Sequence, residues 1–157
     1  MKAEPQSLAR ELLAAARAVA DRGAGTRGLW PRAAVFLARQ ALEVALKTYW
    51  SSRAPGVEAC SHRAQLLCLG TFLSDEPRAR ASYQAWSALS EASHYHPYEL
   101  TPTREELLLW FEAVEGLIET TERKLDSRFG AGKASTSTSG IPTETSPRSS
   151  STLSGRQ

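Results

Sequence analysis

No apolar run in these 157 residues is long enough to span a bilayer, and there are only two cysteines, Cys60 and Cys68. A transmembrane helix needs about 20 consecutive, predominantly apolar residues, so a membrane span is not expected. Two thiols cannot build a disulfide framework, and without a CxxC pair neither reads as a zinc ligand. Both are expected to be reduced, buried or inert. Charge of one sign is lacking too. Lys and Arg number 19 against 17 Asp and Glu, a net charge of +2. With residues 130–157 set aside, the body holds sixteen of each sign. A neutral body gives no compositional reason to expect nucleic-acid binding. Arg10, Glu11 and Arg17 interrupt the apolar residues near the start, so a secretory h-region is not expected either. These absences lead to the expectation of a cytoplasmic protein.

Phosphate-cradling glycine loops and a nucleophile elbow are also missing, which removes the usual backbone devices for nucleotide binding and acyl transfer. No segment alternates apolar and polar residues with β-branched enrichment, so strands are not expected.

What is present is helical periodicity with clear punctuation. Leu8, Leu12, Leu13, Ala16, Val19 and Ala20 follow Pro5 at helical spacing, and Arg22-Gly23-Ala24-Gly25 ends that helix. Pro31 opens a second, with Val35, Leu42, Leu46, Tyr49 and Trp50 on its apolar side, and Ala54-Pro55-Gly56 closes it. A third starts at an N-cap Ser61 and carries Leu66, Leu67, Leu69 and Phe72. Ser74-Asp75-Glu76-Pro77 opens a fourth, with Ser74 as the cap and Tyr83, Trp86 and Leu89 buried. Thr103-Arg104-Glu105-Glu106 has capping-box spacing and opens a fifth. The expected fold is an all-α, four- to five-helix up-down bundle over residues 1–129. Nineteen of the last 28 residues, 130–157, are Ser, Thr, Gly or Pro, which predicts a disordered tail.

Two clusters could carry chemistry. The first is Ser90-Glu91-Ala92-Ser93-His94-Tyr95-His96-Pro97-Tyr98-Glu99. His94 and His96 suit acid–base work because imidazole titrates near neutrality, with Tyr98 as a support. Glu91 and His94, three apart, have the spacing of a carboxylate-bridged metal bundle, but that architecture needs a second ExxH, which is absent. No metal and no cofactor are expected. The second cluster is Arg39-Gln40-Ala41-Leu42-Glu43-Val44-Ala45-Leu46-Lys47, where Glu43 and Lys47 have favourable i,i+4 spacing for an exposed pair.

The stretch from Phe36 to Trp50, with Ala41-Leu42-Glu43-Val44-Ala45-Leu46-Lys47 at its centre, resembles the second helix of the HEPN superfamily of small helical domains. Ser61-His62-Arg63-Ala64-Gln65-Leu66 matches that family's next helix, which opens with a His, and Leu89 to Tyr95 matches its histidine-bearing segment. In helix order the likeness covers residues 5 to 126. The resemblance implies a homodimer and, in many members, a metal-independent ribonuclease. There an Arg holds a phosphate and a His, separated from it by four to six intervening residues, moves a proton on the ribose hydroxyl. Other members bind partners without catalysis. In this chain the positions where that Arg belongs are Ser87, Ala88 and Leu89 before His94, and Leu89, Ser90 and Glu91 before His96. Before His62 they are Pro55, Gly56 and Val57. The motif is missing in its usual form, and Arg39 or Arg104 would have to substitute.

Three readings follow. The favoured one is a non-catalytic HEPN-like module that dimerises and binds RNA or a partner protein encoded nearby. Its expected binding residues are Arg39, Glu43, Lys47, Ser90, Glu91 and Arg104. The second is a ribonuclease of the toxin or defence type with a rearranged site: His94, His96, Tyr98 and a displaced Arg. The third is an unrelated helical regulator or accessory protein of a mobile element. The first two predict that helices two and four pack side by side, with His94 opening toward a dimer surface. The interface is expected on the helix-two face and the Ser90-to-Tyr98 segment.

Overall fold

The computed structural model describes residues 5–23, 30–94 and 101–132. Within them five α-helices follow one another: α1 (Pro5–Gly23), α2 (Trp30–Arg53), α3 (His62–Leu73), α4 (Glu76–Ser93) and α5 (Arg104–Gly132). A single 3-10 turn, Val57–Ala59, links α2 to α3, and no strand occurs among the described residues. The fold is an all-α up-down bundle. Helix α5 continues to Gly132, slightly past the predicted boundary at 129, and the remaining residues of the predicted tail lie outside those described.

Helix α2 forms the centre. One face, from Pro31 and Ala34 through Leu42 and Leu46 to Tyr49 and Trp50, is buried among α1, α4 and α5. The seam between α1 and α2 is made largely of alanine: Ala9, Ala16 and Ala20 on one side, Ala34, Ala38, Ala41 and Ala45 on the other, all buried. Methyl-sized side chains let two helix backbones approach closely, and alanine does so at no cost in helix propensity. Three ion pairs run along α1 and α5. Arg10 pairs with Glu122, Arg17 with Glu115 at 2.7 Å, and Asp21 with Arg104 at 2.7 Å. Residue numbers rise along α1 as they fall along α5, so the two helices are antiparallel. Glu122 strengthens the hold of Arg10 on its proton, and Arg17 keeps the Glu115 carboxyl below the ordinary glutamate range.

The helix ends show which sequence signals are local. Thr103 and Glu106 close a reciprocal capping box: Thr103 N–H donates to Glu106 Oε2 at 2.8 Å, and Glu106 N–H donates to Thr103 Oγ1 at 3.2 Å. Ser61 caps α3 as predicted, accepting from Ala64 N–H at 3.3 Å. At α4 the cap is Asp75, whose carboxylate accepts from Arg78 N–H at 3.1 Å. Ser74, predicted for that role, instead ends α3 in the left-handed conformation with φ 54°. With only two residues between α3 and α4, one must reverse the chain, and the carboxylate caps the next helix. Helix α3 buries only part of its apolar set. Leu66 and Leu69 are buried, but Leu67 is 65% exposed and Phe72 is 37% exposed. Both cysteines, expected to be reduced, buried or inert, are free thiols, and both are exposed.

Candidate functional site

The most organised polar cluster lies where α3 crosses α2. Glu43, half-way along α2, is largely buried and accepts from Arg39 Nε at 2.9 Å. His62, the first residue of α3, places Nδ1 at 3.5 Å from the same carboxylate oxygen. The preceding loop sets that approach. Gly56 takes φ 103°, a left-handed turn that favours glycine, and its N–H donates to Glu58 Oε2 at 2.7 Å. Gln65, 1% exposed, donates through Nε2 to the carbonyls of Glu58 at 3.2 Å and Cys60 at 2.8 Å. The buried amide thus clamps the loop over the start of α3 and delivers His62 to Glu43.

The predicted Glu43–Lys47 pair is replaced by this arrangement. Both i,i+4 neighbours were available to Glu43, but the one N-terminal to it took the contact, on the side where His62 arrives. Lys47 is exposed. A carboxylate between a guanidinium and an imidazole holds two helices together. In this geometry Arg39 Nε is already committed to a carboxylate.

The second predicted cluster is looser. His94 ends α4 as an exposed C-cap, its backbone N–H donating to the Glu91 carbonyl at 3.0 Å, and the Glu91 side chain is exposed. Leaving the helix at His94 breaks the shared face that a Glu91–His94 metal pair requires. Ser90 Oγ is buried without a hydrogen-bond partner, and Ser93 Oγ donates to the Leu89 carbonyl at 2.6 Å. His96 and Tyr98 lie outside the described residues. Arg104, at the start of α5, is engaged by Asp21. The two arginines proposed as substitutes for the missing phosphate ligand therefore sit on different helix pairs, each against an acid of its own chain. Among the described residues no three His, Cys, Asp or Glu side chains gather as a metal site. Helices α2 and α4 do pack side by side, an arrangement open to many bundles.

One pair went unnoticed in the sequence. Arg78 of α4 extends over Gly116 of α5, where any Cβ would overlap its guanidinium, and its Nε is buried without a hydrogen-bond partner. The available signal was Gly116 itself, since a glycine inside a long amphipathic helix costs about 1 kcal/mol against alanine and usually has a packing reason. Compared with known protein families, curated proteins and solved structures, the chain matches none of them. Among the described residues, no helix is long and apolar enough to cross a membrane.

Proposed function

We propose that this chain is a non-catalytic, HEPN-like helical module that pairs with a second copy of itself and docks a partner protein. The observation behind this reading is the engagement of Arg39 by Glu43 and of Arg104 by Asp21. A ribonuclease with a displaced arginine needs a guanidinium aimed at a phosphate beside a histidine. The arginines best placed by sequence to supply it are spent on intramolecular carboxylates, and the HEPN likeness itself rests on the Phe36-to-Trp50 segment.

A protein partner is favoured over RNA by the same surface. Arg10, Arg17, Arg39, Arg80 and Arg104 each face a carboxylate of the same chain. Paired charges of this kind release few counterions on meeting a polyanion, and counterion release drives non-specific RNA binding. Large apolar side chains meanwhile stand in solvent, Phe36 at 58% and Leu109 at 64% exposure among them. These two stand on different helices, α2 and α5, and on this reading each offers an apolar point of contact to a protein surface. The test is sedimentation velocity on the full chain over a wide concentration range, with and without a labelled RNA pool. A concentration-dependent dimer that leaves the RNA sedimenting alone is the expected result. A monomer throughout, or comigration with RNA at physiological salt, overturns the reading.

A further inference from the structure

We infer that residues 57–73, the 3-10 turn and α3 together, form a latched lid over Trp50 of α2. The lid lifts from α2 as one braced body, turning on Gly56 and Ser74, and it does so whether or not the chain pairs with itself or with a partner. Both joints are left-handed. Gly56 takes φ 103°, and Ser74 takes φ 54°, the one positive φ of a non-glycine residue among the described residues. Hinges are a few residues at the ends of elements that absorb backbone rotation, and these two stand at the two ends of the unit. Outside its partner α4, the unit packs lightly on the rest of the bundle.

The hydrogen bonds of the unit brace it from within. Gln65 ties α3 back to the carbonyls of Glu58 and Cys60, Ser61 caps Ala64, and Cys60 N–H donates to the Val57 carbonyl at 3.0 Å. Toward α2 the latch is His62 against Glu43, at 3.5 Å longer than a good hydrogen bond. Toward α4, Glu76 lies over Gly70 but pairs with Arg80 of its own helix. The rest of the hold is apolar: Leu66, Leu69 and Leu73 point inward, and the Phe72 ring meets Trp50 edge-on at 5.0 Å. Apolar contact is non-directional and supplies no latch of its own. Beneath the lid Trp50 is fully buried, and its indole N–H has no hydrogen-bond partner. A buried donor left unpaired costs free energy, and lifting the lid returns it to water. The closed state thus carries a cost at the very residue it covers.

The test follows hydrogen exchange by NMR on the full chain, reading the Trp50 indole N–H beside the backbone amides of each helix, with far-UV circular dichroism confirming the helical content of every variant. The indole is expected to exchange faster than the central amides of α2 and α5, and faster than those of Leu66 to Leu69, which travel with an intact α3. Glu43→Gln weakens the latch and is expected to speed indole exchange about three- to tenfold, the worth of one net hydrogen bond. Arg39→Gln, which spares the His62 contact, does not speed it. Gly56→Ala sets a Cβ in open space at a positive φ, so its effect is confined to the joint, and it too speeds the indole. An indole that exchanges no faster than the central amides of α2 and α5 overturns the lid. So does loss of the α3 amides at the indole's rate, which would mean that the segment unravels, or of the α4 amides with them, which would make the hairpin the moving part. A Glu43→Gln chain that exchanges like Arg39→Gln overturns the latch.

Discussion

Arg78 and Gly116 show how one missing side chain positions another. The guanidinium occupies the space a Cβ would fill on α5, so two opposed effects meet at that position. Gly116→Ala gains about 1 kcal/mol of helix propensity but must displace Arg78 from its seat. A double-mutant cycle separates them. Chemical denaturation is expected to show Gly116→Ala stabilising by about 1 kcal/mol in an Arg78→Ala background and giving little or no gain in the wild type. Equal gains in both backgrounds would mean that Arg78 has no preference for its seat. Gln65 acts locally in the same way. Gln65→Leu removes both carbonyl contacts of the loop and is expected to cost about 1–3 kcal/mol, the range for buried groups left unsatisfied. His62, freed from its approach to Glu43, should then show a changed imidazole chemical shift in NMR. Such side-chain partnerships were the least legible part of the sequence. The Thr103–Glu106 box could be read because its donors and acceptors lie within four residues. The Glu43–His62 approach depends on a loop path and a buried amide, and no spacing rule encodes either.

At the scale of helices, the alanine seam between α1 and α2 fixes how near the two can lie. Ala38 is fully buried in it, and Ala38→Leu is expected to destabilise by about 1–3 kcal/mol by forcing the pair apart. A melting temperature unchanged by that substitution would show a looser seam than the one described. The ion pairs between α1 and α5 add a smaller, pH-dependent contribution. Arg17 lowers the Glu115 pKa from its ordinary 4.5, so the pair stabilises the fold above that value and loses its effect as pH falls through and below it. Both partners are more than a third exposed, which limits the effect to less than about 1 kcal/mol. Glu115→Gln should therefore be slightly less stable than wild type at neutral pH, with the difference closing in acid. Periodicity revealed every helix, because an apolar stripe repeats over many residues. It left open the exposure of Leu67 and Phe72, because Leu66-Leu67-Cys68-Leu69 are consecutively apolar and the pattern does not say which side of α3 is covered. The choice of Ser74 over Asp75 as a cap failed for a related reason: either residue can cap, and only the chain reversal between α3 and α4 decides between them.

For the whole molecule, the sequence yielded the all-α class and the order of five helices, while the pairings that bring α5 against α1, α2 and α4 emerged only from the fold. The candidate site divided along the same line. Arg39 and Glu43 were legible as members of one helix face and proved to be partners, whereas His94 and Arg104 belong to separate parts of the bundle, each with local contacts of its own. Arg39 and Arg104 each contact an acid of the same chain, which is the observation behind the proposal of a non-catalytic module. The most direct test is incubation of the purified full chain with a mixed RNA pool in the presence of a chelator, beside His94→Ala, His62→Ala and Arg39→Ala chains of confirmed helicity. RNA left as intact as in buffer by all four proteins is the expected result. Cleavage by the wild type that disappears in any of the three variants would contradict it and make the chain a metal-independent ribonuclease.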